Sequence, residues 1–215
     1  LCNVVYKIFS KVLANRSREI LDEIIAEEQS AFVPGRLITD NVLVAYECIH
    51  SMRRKRGKNG WCAVKIDMIK AYDRVEWEYL EGIMRQLGFH EQWITLVMRC
   101  VTTVSFQVKV NGELLPRFSP SRGFRQGDPI SPYLFLLCGE GLSCMLKNYD
   151  GGWVDRGIRV GNTTPWISHL LFADDCLVFM KADSRSAMRL NEILHNYNIG
   201  SGQSANKAKS SVPFS

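Results

Sequence analysis

Apolar residues recur along this chain with two different periods, and the switches between them divide it into elements. Val5, Ile8, Phe9, Val12 and Leu13, then Ile20, Leu21, Ile24 and Ile25, fall at helical spacing with charged residues between them. This predicts one helix, or two in succession, over residues 4–26. Gln29 to Arg36 ends in the turn sequence Pro34-Gly35-Arg36, and Thr39 or Asp40 is placed to cap a helix carrying Val42 to Met52. Trp61 to Ile66 is a short apolar run suited to a buried strand, and it delivers Asp67 at its end. Helical period returns over Glu76 to Leu87 and Glu91 to Val101, with Gly88 between them as a C-cap. Val104, Phe106, Val108 and Val110 then alternate strictly, Asn111-Gly112 supplies a type I′ turn, and Glu113 to Phe118 returns, so residues 103–118 read as a hairpin. After a polar, glycine-containing stretch from Ser119, Pro129 opens a strongly apolar helix through Tyr133 to Leu146, with Asp128 or Ser131 as its cap. Strands are expected at Gly157 to Val160 and Trp166 to Phe172 around a Gly161-Asn162 turn, and in both arms of His169 to Met180 around Asp174-Asp175. Ser184 to Tyr197 has amphipathic helical spacing, and Ser211 to Phe214 is a last strand.

From Trp61 onward the order is strand, helices, hairpin, helix, strand pair, helix, strand. That is an α+β pattern, an antiparallel sheet with helices on one face. Such a sheet sets the end of its first strand, Asp67, beside the turn of the central hairpin, Asp174-Asp175. Three carboxylates then converge.

Composition narrows the picture without naming a function. A chain of 215 residues that is 46% hydrophobic can bury one sizeable core or two small ones. Lys and Arg number 27 against 22 Asp and Glu, a net charge of +5 that permits a polyanionic partner and does not demand one. The basic run Arg53-Arg54-Lys55-Arg56-Gly57-Lys58 is either a solvated loop or a phosphate contact. Seven cysteines form no C-x-x-C pair and mostly lie in apolar runs, so they read as small hydrophobes in a reducing, intracellular setting, nuclear or cytoplasmic. No apolar run approaches the ~18 residues of a membrane span, and the first residues do not form a signal peptide. The absence of an initiating Met and the stop just after a strand-like run lead to the expectation of a fragment of something longer.

The acids carry the chemistry. Two adjacent carboxylates at the mouth of an apolar hairpin repel each other and lose hydration unless a cation is shared or their pKa values rise. A divalent metal is the simplest resolution; an exposed Asp-Asp turn at a hairpin tip is the plain structural alternative. Hard oxygen donors suit magnesium, which accepts one or two carboxylates plus substrate phosphates. Two such ions, roughly 3.5–4 Å apart, hold the attacking and leaving oxygens of an in-line phosphoryl displacement. No P-loop, dinucleotide fingerprint, zinc cluster or nucleophile elbow competes with nucleotidyl transfer, and the four scattered histidines, His50, His90, His169 and His195, read as structural.

Three ordered segments resemble motifs A, B and C of reverse transcriptases: Lys65-Ile-Asp-Met-Ile-Lys-Ala-Tyr-Asp73, Arg125-Gln-Gly-Asp-Pro-Ile-Ser-Pro132 and Phe172-Ala-Asp-Asp175. Gln29 to Arg36, Tyr72 to Trp77 and Asn206 to Ser210 look particularly like non-LTR, LINE-type retrotransposons of plants. The resemblance implies partial fingers at residues 1–60 and a ferredoxin-like palm at 61–215, without a thumb, and with the hairpin 103–118 packing towards the fingers. It implies that Asp67 and Asp174 ligate two magnesium ions, with manganese as a substitute, Asp175 as a supporting ligand and the Met68 carbonyl contributing. A primer 3′-hydroxyl would attack the α-phosphate of a deoxynucleoside triphosphate on an RNA template. Tyr72 matches the steric gate against a ribose 2′-hydroxyl, where the alternative is a core tyrosine. Gln126 and Gly127 match residues lining the incoming nucleotide and templating base. Lys7 lies where relatives have a basic residue on the triphosphate, though a solvated helix lysine fits equally. Arg36 is expected on template or nucleotide. Lys209, with Lys207 competing, resembles a lysine that protonates the leaving pyrophosphate.

Ile69 sits where the family has a small residue and Phe124 where Leu is usual. The resemblance implies RNA template and DNA primer as partners, no membrane, and thumb and endonuclease regions elsewhere in the same polyprotein. Two other readings remain open at this point: a catalytically inactive or domesticated RNA-binding remnant, and a palm-like cyclase or other two-metal nucleotidyltransferase with no use for a Tyr72 gate.

Overall fold

Apolar periodicity becomes two long helices before the first strand, α1 (Val4–Ile24) and α2 (Ile38–Arg54). The computed structural model describes residues 4–55, 60–148, 157–161 and 163–212; residues 56–59 of the basic run, Asn162 of the expected turn, and Pro213 and Phe214 of the last expected strand lie outside them. The sequence from 4 to 26 forms one helix, not two. Neither Thr39 nor Asp40 caps α2. Its N-cap is Leu37, with no side-chain bond, and Asp40 sits instead in the first turn, where the helix dipole favours an acid.

Next come β1 (Trp61–Ile66), the single helical turn α3 (Ala71–Arg74), α4 (Trp77–Gln86) and α5 (Glu91–Thr102). Gly88 closes α4 as expected. At φ +82° its N–H donates to the Arg85 carbonyl while the Phe89 N–H reaches Met84, the paired bonds of a Schellman ending. The hairpin is shorter in its ladder than its alternation predicts: only β2 (Lys109–Val110) and β3 (Glu113–Leu114) pair, with one further bridge between Phe106 and Phe118. Its turn is as expected, with both Asn111 and Gly112 at positive φ. Then follow α6 (Ser131–Asn148), β4 (His169–Phe172), β5 (Asp175–Lys181) and α7 (Ser184–Ser201). The expected strand at 157–160 reduces to a bridge between Ile158 and Ile167.

The three long strands make an antiparallel sheet in the order β1-β5-β4. Both edges are extended by chain that is not regular strand. Gln29 bridges Leu171 in parallel, while Met68 and Lys65 bridge Ala205 and Ser211 of the tail. Side chains alternate across the sheet as a period of two requires. Cys62, Val64 and Ile66 of β1 and Cys176 and Val178 of β5 enter a large core with residues of α1, α4, α5, α6 and α7. Ala63, Leu170 and Phe179 enter a smaller one on the opposite face, closed by Cys48 and Met52 of α2. The helices α4 to α7 therefore share one side with α1, and α2 supplies the cover for the other. Each fully buried side chain such as Leu134 or Phe179 contributes about 1.5–3 kcal/mol.

His169 is placed as a structural residue. Fully buried, its ring lies between the Ser143 hydroxyl at 2.9 Å and the Ser168 hydroxyl at 2.8 Å. Burial, against the opposing pull of Glu28, holds its pKa down to about 4 from the usual 6.5. An unfolded chain binds this proton below pH 6.5 and the folded one does not until about pH 4. Stability from this group is thus complete above 6.5 and lost as pH falls to 4, about 3 kcal/mol in all. Urea denaturation at pH 7 and pH 4 is expected to show that loss, and His169→Gln to reduce it by a like amount. An unchanged pH dependence in the variant would contradict the neutral buried imidazole.

Candidate active site

Register builds this site. Ile66 pairs with Cys176 and Phe172 with Asp175, so Asp67, the next residue after β1, continues the register opposite Asp175, beside the two-residue turn of Ala173 and Asp174. Asp67 is half-buried, while Asp174 and Asp175 are exposed. Ala173 has φ +54° and Asp174 does not share the positive sign, the sign pattern of a type II′ turn whose first residue is ordinarily glycine. Holding an alanine there costs about 1 kcal/mol.

The three carboxylates are not equivalent. Asp175 pairs with Lys65 at 3.2 Å, both groups about half exposed, an interaction worth about 0–1 kcal/mol. Asp67 and Asp174 have no hydrogen-bond donor or cation on their side chains among the described residues. No set of three acidic, histidine or cysteine side chains closes on one point among the described residues either. What the site offers a metal is a pair of hard, uncompensated carboxylates. Magnesium fits that donor set, because it binds through one or two carboxylates and takes its other oxygens from phosphates and water. The Met68 carbonyl accepts no hydrogen bond among the described residues, whereas the Asp67 carbonyl accepts one from the Asn206 N–H at 2.7 Å.

That last bond fastens the tail to motif A. The Asp67 N–H donates to the Ser210 hydroxyl at 3.4 Å, and the turn between them, closed by Lys209 N–H to Asn206 O at 3.1 Å, carries Lys207 and Lys209, both exposed. The structure brings both lysines to the acids' end of the sheet, and geometry does not choose between them.

Tyr72, on α3, stacks flat on Phe135 of α6, with centroids 4.7 Å apart and planes 10° from parallel. Burial, and then the Asp174 carboxylate, push its phenol up to about 12, so the ring is neutral and fixed beside the acids. Backbone bonds tie the same segment to motif B: Phe124 N–H to Tyr72 O and Gly123 N–H to Val75 O, both 2.8 Å. Gln126 and Gly127 lie exposed in the turn before α6.

Asp128 has a role that sequence reasoning missed. Proposed as a helix cap, it is 4% exposed, and its carboxylate accepts from the hydroxyls of Tyr6, at 2.5 Å, and Ser10 on α1. Arg125 approaches it at 3.5 Å while lying 3.9 Å over the Tyr6 ring. Motif B is thereby locked to the first helix, and Lys7 stands exposed beside this contact. Burial, reinforced by Asp128, drives the Tyr6 phenol well above its ordinary pKa.

Arg36 departs furthest from expectation. Its guanidinium is spent on Asp22 at 2.9 Å and on the carbonyls of Ile25, Ala26 and Gln29 at 2.8, 2.6 and 2.8 Å, closing the end of α1. A template or nucleotide contact would require breaking these bonds, so its role here is structural.

The cysteines behave as expected. Cys48, Cys62, Cys100, Cys138 and Cys176 are buried and unbridged, and burial pushes the Cys176 thiol up to about 12. Among the described residues no helix is long and apolar enough to cross a membrane.

The chain is 31% identical over 208 residues to a 149 kDa transposon TX1 protein of Xenopus laevis, covering 96% of this chain and 15% of that one. It is 26% identical over 216 residues to a retrovirus-related Pol polyprotein from a type-1 retrotransposable element R2 of Popillia japonica, covering all of this chain and 29% of the relative. It thus spans under a third of either. Among solved structures, telomerase from Candida albicans in complex with a telomeric RNA fragment superposes with a TM-score of 0.63 at 15% identity, over 95% of this chain and 34% of that one, a likeness of fold. Residues 1–213 match the family described as reverse transcriptase (RNA-dependent DNA polymerase), and the chain belongs to that family.

Proposed function

We propose that this chain is the fingers and palm of an RNA-directed DNA polymerase from a non-LTR, LINE-type retrotransposon. The observation that carries the reading is the β1–β5 register. It continues Asp67 opposite Asp175, beside the turn that carries Asp174 and near a tyrosine stacked on Phe135, in a member of the reverse transcriptase family. Fingers are assigned to residues 1–60 and palm to 61–215. Asp67 and Asp174 would hold two magnesium ions, or manganese, with the Met68 carbonyl completing the set and Asp175 supporting. Bound there, the metals would lower the charge barrier to in-line attack at phosphorus.

The rest belongs to the chain's own residues. The Tyr72 ring, stacked on Phe135, walls the space where a ribose 2′-hydroxyl would sit. Gln126 and Gly127 present the motif B turn to the incoming base pair. Lys7 meets the triphosphate, and Lys209, or Lys207 in the same turn, delivers a proton to the leaving pyrophosphate. Partners are an RNA template, a DNA primer and a deoxynucleoside triphosphate. The relatives' much greater length supports thumb and endonuclease regions in the same polyprotein. The motif-level likeness to plant elements supports a plant-type source, and reduced buried cysteines support work in nucleus or cytoplasm.

Magnesium-dependent extension of a DNA primer on an RNA template tests the reading. Extension that stops without RNA or without metal is the expected result; template-independent transfer, or none with thumb sequence supplied, would defeat it. Tyr72→Ala is expected to relax discrimination against ribonucleotides by about 10–100-fold, while Tyr72→Phe keeps it. Competition between dCTP and CTP in single-turnover extension measures this, and equal selectivity in parent and Tyr72→Ala would remove the gate.

A further inference from the structure

The turn bearing Asp174 is not held by its own hairpin alone. In a two-residue hairpin closed by Phe172 and Asp175, the Ala173 amide has no partner across the strands. Its acceptor is the side-chain carbonyl Oε1 of Gln29, 3.1 Å away and 144 residues distant in sequence. The same oxygen accepts from the Ala31 N–H at 2.9 Å, and Gln29 is 3% exposed.

We propose that Gln29 is a positioning residue for the candidate metal site: by accepting the Ala173 amide it fixes the left-handed turn that presents Asp174. The inference rests on Asp174 being a metal ligand, as proposed above, and Gln29 itself does not touch that ligand.

Three observations make the brace specific. Ala173 lacks the freedom of glycine at φ +54°, so the conformation needs an external hold. Gln29 is itself fixed from both sides, its N–H donating to Ala26 O at 3.1 Å and its carbonyl receiving Arg36 Nη1 at 2.8 Å. Its neighbours lock the chain against β4: Leu171 N–H donates to Glu28 O at 2.8 Å, and Asn41 Nδ2 donates to Leu171 O at 2.8 Å and Glu28 O at 3.3 Å. Arg36, its guanidinium bonded to Asp22 and to the carbonyls of Ile25, Ala26 and Gln29, thus reaches the acids through Gln29 and Ala173.

The test compares the parent protein with Gln29→Met, which keeps length and loses the acceptor, and Gln29→Glu, which keeps an acceptor. Amide hydrogen exchange at Ala173 and manganese titration by electron paramagnetic resonance are read alongside primer extension. In Gln29→Met the Ala173 amide is expected to exchange about tenfold faster or more while β5 keeps its protection. Manganese affinity is expected to fall about tenfold. In extension, the magnesium midpoint rises and kcat falls while the KM for deoxynucleotide stays within about twofold; Gln29→Glu recovers the manganese affinity. Parent-like exchange or parent-like manganese affinity in Gln29→Met overturns the proposal, and so does an unprotected Ala173 amide in the parent. Should Gln29→Met fail to fold, Arg36→Met must show the same changes, smaller in size, or the brace is refuted. A parent that protects Ala173 yet binds no manganese overturns the metal-site reading instead, which separates the two failures.

Discussion

Asp174→Ala is expected to lower magnesium-dependent incorporation by about 10³-fold or more, since a lost ligand forfeits several kcal/mol of charge stabilisation at the reacting phosphate. The physical ground is that Asp174 has no hydrogen-bond donor or cation on its side chain among the described residues and stands exposed at a turn, so its carboxylate is open to a metal. Its removal should leave stability within about 0.5 kcal/mol, because exposed positions without contacts rarely matter to folding. Asp175→Ala should cost much less activity, about tenfold, since that carboxylate already faces Lys65. Single-turnover incorporation at saturating magnesium measures both. If Asp174→Ala kept a tenth of the parent rate, Asp174 would leave the ligand set.

Gly123→Ala is the second large effect, and it acts on folding. Gly123 has φ +83°, and a Cβ there would lie 2.6 Å from the Asp73 carbonyl oxygen and 2.9 Å from its carbon. Those atoms are backbone, so no side chain can step aside. The residue is also pinned, with its N–H on Val75 O at 2.8 Å and its carbonyl receiving Trp77 Nε1 at 2.9 Å. Strain and displacement together should remove about 3 kcal/mol or more. For a chain of this length that lowers the melting temperature by roughly 6–12 °C. Gly127→Ala is the control: φ is +80° but the space is open, so only the local strain of about 1 kcal/mol is expected. A Gly123→Ala protein that melts with the parent would show that motifs A and B do not approach as closely as described. Because Phe124 N–H bonds Tyr72 O, the same substitution should also loosen the Tyr72 wall.

Much of this protein is local in origin. Helical period drew α1, α4, α5 and α7 within a few residues of their ends, Asn111-Gly112 drew its own turn, and the apolar arms around Asp174-Asp175 drew β4 and β5. These follow from short-range chemistry, which side chains three, four or two residues apart dictate wherever they sit. That the end of β1 lies beside the turn between β4 and β5 was also legible, because strand order and an antiparallel sheet leave few other arrangements; the expected closure of three carboxylates on one point is not found among the described residues.

What the sequence could not decide were the contacts joining segments far apart in the chain. Asp128 reads locally as a cap and is claimed by Tyr6 and Ser10 of a helix 118 residues or more away. Arg36 reads as a cation free for phosphate and is consumed by carbonyls at the end of α1. Gln29 belongs to a segment that resembles the family, yet nothing in the sequence points to the bond its side chain accepts from the turn that displays Asp174. A polar side chain's partner is whichever buried donor or acceptor the fold leaves unpaired, and that is settled only when the whole backbone has been placed.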